Sequence, residues 1–85
     1  GESMSPTLND GDTVLVDQSQ KDVWAGKLYA VGIEDTVVVK RLEKLPGKVV
    51  LRSDNPNYAP IHLDIQEYTS FRIMGRVLWA SKEFK

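Results

Sequence analysis

The apolar positions of this chain fall in short alternating runs, each ended by a turn cluster, and no stretch holds a helical period. Asn9-Asp10-Gly11-Asp12 is the first such cluster, because Asp-Gly offers a glycine where positive φ is needed. Thr13 to Val16 follows as a strand. Polar Asp17 to Lys21 predicts a loop, and Gly26 breaks the chain before a strand over Lys27 to Ile33, whose interior Gly32 weakens. Glu34-Asp35 then closes a tight hairpin into Thr36 to Lys40. Neither residue is the glycine or asparagine that two-residue turns prefer, so the pattern leaves that register open.

Lys44-Leu45-Pro46-Gly47-Lys48 is a stronger turn signal and leads into Val49-Val50-Leu51. Ser53-Asp54-Asn55-Pro56-Asn57 is a dense turn cluster. Tyr58 to Leu63 reads as extended, and Pro60 inside it marks an edge or irregular strand. The last strand is Phe71 to Leu78, with Phe71, Ile73 and Val77 as its apolar positions and Gly75 disturbing the alternation. There is no internal repeat and no low-complexity tract. The prediction is an all-β fold.

Composition narrows the class. The 85 residues make a single domain, residues 1–85, whose core is modest because a chain this short buries only about two-thirds of its unfolded surface. Eleven basic and twelve acidic residues give a formal charge of -1, which argues against nucleic-acid binding by this segment. It leaves open DNA binding by another part of a longer polypeptide. The absence of cysteine rules out a disulfide framework and a thiolate metal site, and fits a cytoplasmic protein. The longest apolar runs are four residues, such as Leu28 to Val31 and Val77 to Ala80, against the roughly 20 of a membrane span. No signal peptide is visible. The chain opens at Gly1 rather than Met and reads as a fragment of a longer protein.

The candidate chemistry sits near the start, at Ser3. A serine near its free pKa is a weak nucleophile and needs a base. The only histidine, His62, shares one strand face with Asp64 and reads as a surface pair, since nothing resembles Gly-x-Ser-x-Gly. A lysine can replace histidine if burial leaves it neutral. Lys40 ends the run Thr36-Val37-Val38-Val39, which reads as a buried strand. Taken alone, Ser3 is a solvated terminal serine and Lys40 a lysine snorkelling from a strand end. Arg41 alternates to the opposite face and reads as a surface charge. Asp10, Asp12 and Asp17 lack calcium-loop spacing and read as turn and surface carboxylates. Trp24, Trp79, Tyr29, Tyr58 and Phe71 are core or interface anchors.

Together, Gly1-x-Ser3-Met4-x-Pro6-Thr7-Leu8-x-x-Gly11-Asp12 and Val39-Lys40-Arg41-Leu42 resemble the C-terminal Ser-Lys autopeptidase domain of LexA-type and phage CI-type repressors and UmuD-like proteins. The resemblance is carried by residues 1–17 and 37–42 and extends through 51–61. It implies a small, strongly bent antiparallel β domain, truncated at its N-terminus. It also implies Ser3 as nucleophile, Lys40 as base and the backbone amides of Glu2 and Ser3 as the oxyanion hole. Gly1 would allow close backbone approach, Pro6 would set the chain direction after the nucleophile, and Met4 would anchor the segment. No cofactor or metal enters that scheme.

In such repressors the serine cuts a peptide bond upstream in its own chain, typically Ala-Gly, separating this domain from an N-terminal helix-turn-helix. A RecA filament on single-stranded DNA promotes the cut, and the domain forms homodimers that help two reading heads hold an operator. This chain contains neither the helix-turn-helix nor a cleavage-site segment. Without that cover, Lys40 is expected to be hydrated and its pKa to move back toward that of a solvated lysine. Type I signal peptidases share a Ser-Met-x-Pro-Thr-Leu box and a Lys-Arg pair followed by Pro-Gly, as in Lys40 to Gly47. They are membrane-anchored, whereas Leu51-x-Ser53-x-Asn55-x-x-Tyr58-x-Pro60-Ile61 and Gly75-Arg76-Val77-Leu78-Trp79 look like the repressor type. A processing protease and a catalytically silent oligomerisation domain stand as the alternatives.

Overall fold

A computed structural model describes residues 2–66 and 70–81, so the role expected of Gly1 lies outside the described residues. Among the described residues there are six strands: β1 (Thr13–Asp17), β2 (Leu28–Ile33), β3 (Thr36–Leu45), β4 (Lys48–Arg52), β5 (Ile61–Asp64) and β6 (Phe71–Ser81). They make one antiparallel sheet in the order β1-β6-β2-β3-β4-β5. The fold is all-β, as the alternation predicts. Among the described residues, no helix is long and apolar enough to cross a membrane.

Directly opposed residues in an antiparallel pair share a face, and here they align the core. Val31 lies opposite Val38 and Ile73, Leu42 opposite Leu51, and Val49 opposite Leu63. Tyr29, Val31, Leu42, Val49, Leu51 and Leu63 are buried as one cluster, with Phe71 and Ile73 packed against it. Tyr29 is wholly buried, and its hydroxyl is satisfied: it donates to the Asp22 carbonyl and accepts from the Trp24 N–H, both at 2.8 Å. Of the other aromatic anchors, Trp24, Tyr58 and Trp79 stand exposed.

Several boundaries differ from expectation. β3 continues past Lys40 to Leu45, because Arg41 to Leu45 find partners on β4. The Thr36–Val39 run is not a buried strand throughout: Val37 is exposed and only Val38 packs on the core. Tyr58 belongs to the turn after Asn55, and β5 starts at Ile61, just past Pro60, as the sheet's edge strand. His62 and Asp64 are both exposed on it, as a surface pair should be.

β6 runs to Ser81 and carries two bulges, one where the β2 partner moves from Gly75 to Ile73 and one where the β1 partner moves from Trp79 to Val77. Each bulge resets the alternation. Gly75 is buried against β1, and a Cβ there would collide with the Asp17 carbonyl oxygen. The glycine is what allows this close approach.

Candidate active site

The segment Glu2–Asp12 is irregular and folds back on the sheet through named contacts. Met4 and Leu8 are buried, and the Leu8 N–H donates to the Met4 carbonyl at 3.0 Å. The Met4 sulfur accepts the Asp54 N–H at 3.4 Å, which gives the anchoring role expected of Met4 a physical form. Gly11, at φ 92, turns the chain into β1, and Asp12 closes that turn by accepting the Asn9 N–H at 2.9 Å. Only glycine adopts such a φ without steric cost.

These contacts set Ser3 over β3. Lys40 Nζ donates to Ser3 Oγ at 2.8 Å, across 37 residues of sequence. It also donates to Ser53 Oγ at 2.8 Å. Lys40 shares the face of β3 that carries Val38 and Leu42, by the two-residue period of a strand. Its side chain is therefore driven inward, and the residue is only 6% exposed. Burial disfavours the ammonium and pushes the Lys40 pKa below the ordinary lysine range. This corrects the expectation that Lys40 is hydrated in this chain: β3 and the flanking turns bury it without any further segment.

Arg41 is also corrected. Its alternation away from Lys40 holds, but it is no free surface charge. Its Nε and Nη2 donate to the two Asp54 oxygens at 2.7 and 3.0 Å, and its Nη1 to the Gly26 carbonyl at 2.8 Å. Thr7 donates to Asp54 as well. The Asp54 carboxyl is held below the usual carboxylate range, first by Arg41 and further by Thr7.

Ser53, Asp54 and Asn55 thus each hold a different part of the site. Sequence reasoning took this segment for a turn; it counted Ser53 and Asn55 toward the repressor resemblance but gave none of the three a role in the site. The signal was its dense run of side chains able to bond backbone groups. The Asn55 N–H donates to the Ser3 carbonyl at 2.9 Å, and its Nδ2 to the Glu2 carbonyl at 3.0 Å. Beside Ser3 opens a cleft of about 380 Å³, lined by Leu8, Val14 and Val37 to Val39 among others. A buried lysine with a lowered pKa, bonded to a hydroxyl at the rim of a cleft, is an arrangement able to activate that hydroxyl as a nucleophile.

Comparison with known proteins identifies the family. The family described as Peptidase S24-like matches residues 1–78. The chain is 39% identical over 82 residues to the repressor protein CI of Enterobacteria phage phi80, covering 95% of this chain and 34% of that protein. It is 41% identical over 68 residues to the LexA repressor of Proteus mirabilis, covering 80% and 32% respectively. With the LexA repressor of Pasteurella multocida it shares 40% over 76 residues, covering 88% and 36%. The chain spans about a third of the length of these relatives. By the extent of the family match and by the residues that carry it, this chain belongs to the Peptidase S24-like family.

Proposed function

We propose that this chain is the Ser-Lys autopeptidase and dimerisation domain of a self-cleaving transcriptional repressor. The observation that carries the reading is the 2.8 Å bond between Lys40 Nζ and Ser3 Oγ, made by a lysine whose burial lowers its pKa. In the reactive state Lys40 is neutral. Its N–H bond to Ser53 then leaves the nitrogen lone pair for the Ser3 proton. Ser3 Oγ attacks the scissile carbonyl carbon while that proton passes to Nζ. The oxyanion is stabilised by the N–H groups of Glu2 and Ser3. Collapse breaks the C–N bond, the leaving amine takes the proton from Nζ, and water activated by Lys40 hydrolyses the Ser3 ester.

The substrate has a natural seat. Thr36 to Lys40 pair with β2 on one side, whereas β4 pairs with β3 only from Arg41 onward. The open side of this half-strand, beside Val37 and Val39, borders the cleft. An extended peptide adds there as a strand and brings its carbonyl to Ser3. In the longer protein this is an upstream segment of the same chain, next to a DNA-reading part that contacts the operator. A RecA filament on single-stranded DNA is the activator, and the setting is cytoplasmic.

The test is self-cleavage of the full-length protein at alkaline pH. Ser3→Ala, Lys40→Ala and the double variant are each expected to lose about the same large factor, because residues acting as a unit are non-additive. The parental rate is expected to rise with pH as Lys40 loses its proton. Near-parental cleavage by either single variant sinks the assignment.

A further inference from the structure

Asn55 divides its polar groups between the segment that carries Ser3 and its own turn. Its main-chain N–H holds the Ser3 carbonyl at 2.9 Å, and its Nδ2 holds the Glu2 carbonyl at 3.0 Å. Its Oδ1 accepts the Asn57 N–H at 2.9 Å, and its carbonyl accepts the Tyr58 N–H at 3.1 Å. The Oδ1 bond decides the orientation of the amide, because an Asx turn leaves only Nδ2 to face Glu2. The peptide units before and after Ser3 are therefore both anchored by one side chain and its own backbone.

Across a trans peptide the C=O and the following N–H point in opposite directions. Fixing the Glu2 carbonyl toward Asn55 thus fixes the Ser3 N–H away from it. The Ser5 N–H also reaches the Glu2 carbonyl at 3.0 Å, so that plane is held from two sides. Ser3 itself lines the cleft and carries the hydroxyl bonded to Lys40. We propose that Asn55 is a positioning residue for the oxyanion: by gripping the carbonyls of Glu2 and Ser3, it aims the Ser3 N–H at the reacting carbonyl. This rests on the Ser-Lys reading above, and adds to it a residue outside the dyad. Preorganised donors matter because they need no rearrangement as charge develops.

Asn55→Asp is the decisive change. It is nearly isosteric and keeps the Oδ1 acceptor that closes the Asx turn on Asn57. It replaces the Nδ2 donor with an oxygen facing the Glu2 carbonyl. Asn55→Ser, uncharged, controls for any effect of a new carboxylate on Lys40. Two rates are measured across pH for the parent, both variants and Ser3→Ala. One is self-cleavage of the full-length protein; the other is labelling of this chain by a fluorophosphonate, whose phosphorus–oxygen group also draws on the oxyanion donors.

Both Asn55 variants are expected to lower the high-pH plateau at least about tenfold, since one oxyanion donor is worth about 10²–10³. Asn55→Ser is expected to leave the pH midpoint where the parent has it. A merely structural loosening would hydrate Lys40 and move that midpoint upward, and such a shift overturns the inference. So does a plateau within twofold of the parent for Asn55→Asp, provided the parent rates depend on Ser3. Parent rates indifferent to Ser3→Ala would instead defeat the Ser-Lys reading, and this inference with it.

Discussion

Lys40 is held by two hydroxyls, Ser3 and Ser53, and its burial is what lowers its pKa. The sign of the consequence for stability follows from linkage. With the folded pKa below the unfolded one, the unfolded chain binds more protons between the two values, so stability rises with pH across that window. Below it, the fold carries the cost of a buried ammonium. Lys40→Met removes that cost and keeps the volume. It is expected to raise Tm at pH 7 by about 4 °C or more, roughly what 1 kcal/mol gives in a domain this small. The gain should shrink as pH climbs and the parent lysine deprotonates; thermal melts at pH 7 and pH 10 check both. At this scale the pairing of Ser3 with Lys40 was legible in the sequence, because each sits in a distinctive run of neighbours. The roles of Ser53, Asp54 and Asn55 were not, although Ser53 and Asn55 counted toward the resemblance. Residues that bond backbone groups look the same in a plain turn as in one that braces a site, and only the partners distinguish them. Arg41 was misread for a related reason: alternation gave its direction but not the Asp54 carboxylate waiting there.

The six strands were foreseen as elements, and their errors cluster where alternation fails. β6 was read too short because its two bulges reset the period, which a strict two-residue count cannot represent. β3 was cut at Lys40 because charged Arg41, Glu43 and Lys44 hide the buried Leu42 between them. The β2–β3 hairpin is the instructive success. Its register pairs Ile33 with Thr36, so Glu34-Asp35 is indeed the two-residue loop. Glu34 sits at φ 54, the sign that a type II′ turn demands at its first central position and normally fills with glycine. An L side chain held there is disfavoured by about 1–2 kcal/mol, part of which glycine returns as chain entropy in the unfolded state. Glu34→Gly is therefore expected to stabilise the protein by about 0.5–1 kcal/mol, read as a shift in urea midpoint at unchanged slope. A destabilised variant would mean that the Glu34 side chain, exposed here, contributes more than its backbone costs.

Two surfaces of the sheet govern how the whole molecule behaves. On one, Leu15 lies opposite Trp79, and both are exposed together with Leu78. β1 is also an edge strand, so this corner combines unpaired backbone with apolar side chains, a setting that favours self-association. Sedimentation should find a dimer at high micromolar concentration, weakened by Leu78→Lys or Trp79→Ala. A parent that stays monomeric, or a dimer indifferent to both changes, refutes that surface. The second surface is the cleft beside the open half of β3, where Lys40 is buried and bonded to Ser3. On the proposed reading, turnover then depends on bringing a scissile bond within reach of Ser3. A tethered segment enjoys a high effective concentration, and a free peptide must supply that advantage from its own affinity. The isolated chain should accordingly leave generic peptides and itself intact, yet slowly cut a full-length Ser3→Ala partner supplied in trans at alkaline pH. Mass spectrometry of the products locates the cut. Cleavage should be abolished when Lys40→Ala is introduced into the attacking chain. Efficient turnover of unrelated peptides would show that the cleft has strong affinity of its own, the mark of a processing protease and not of a self-cleaving repressor.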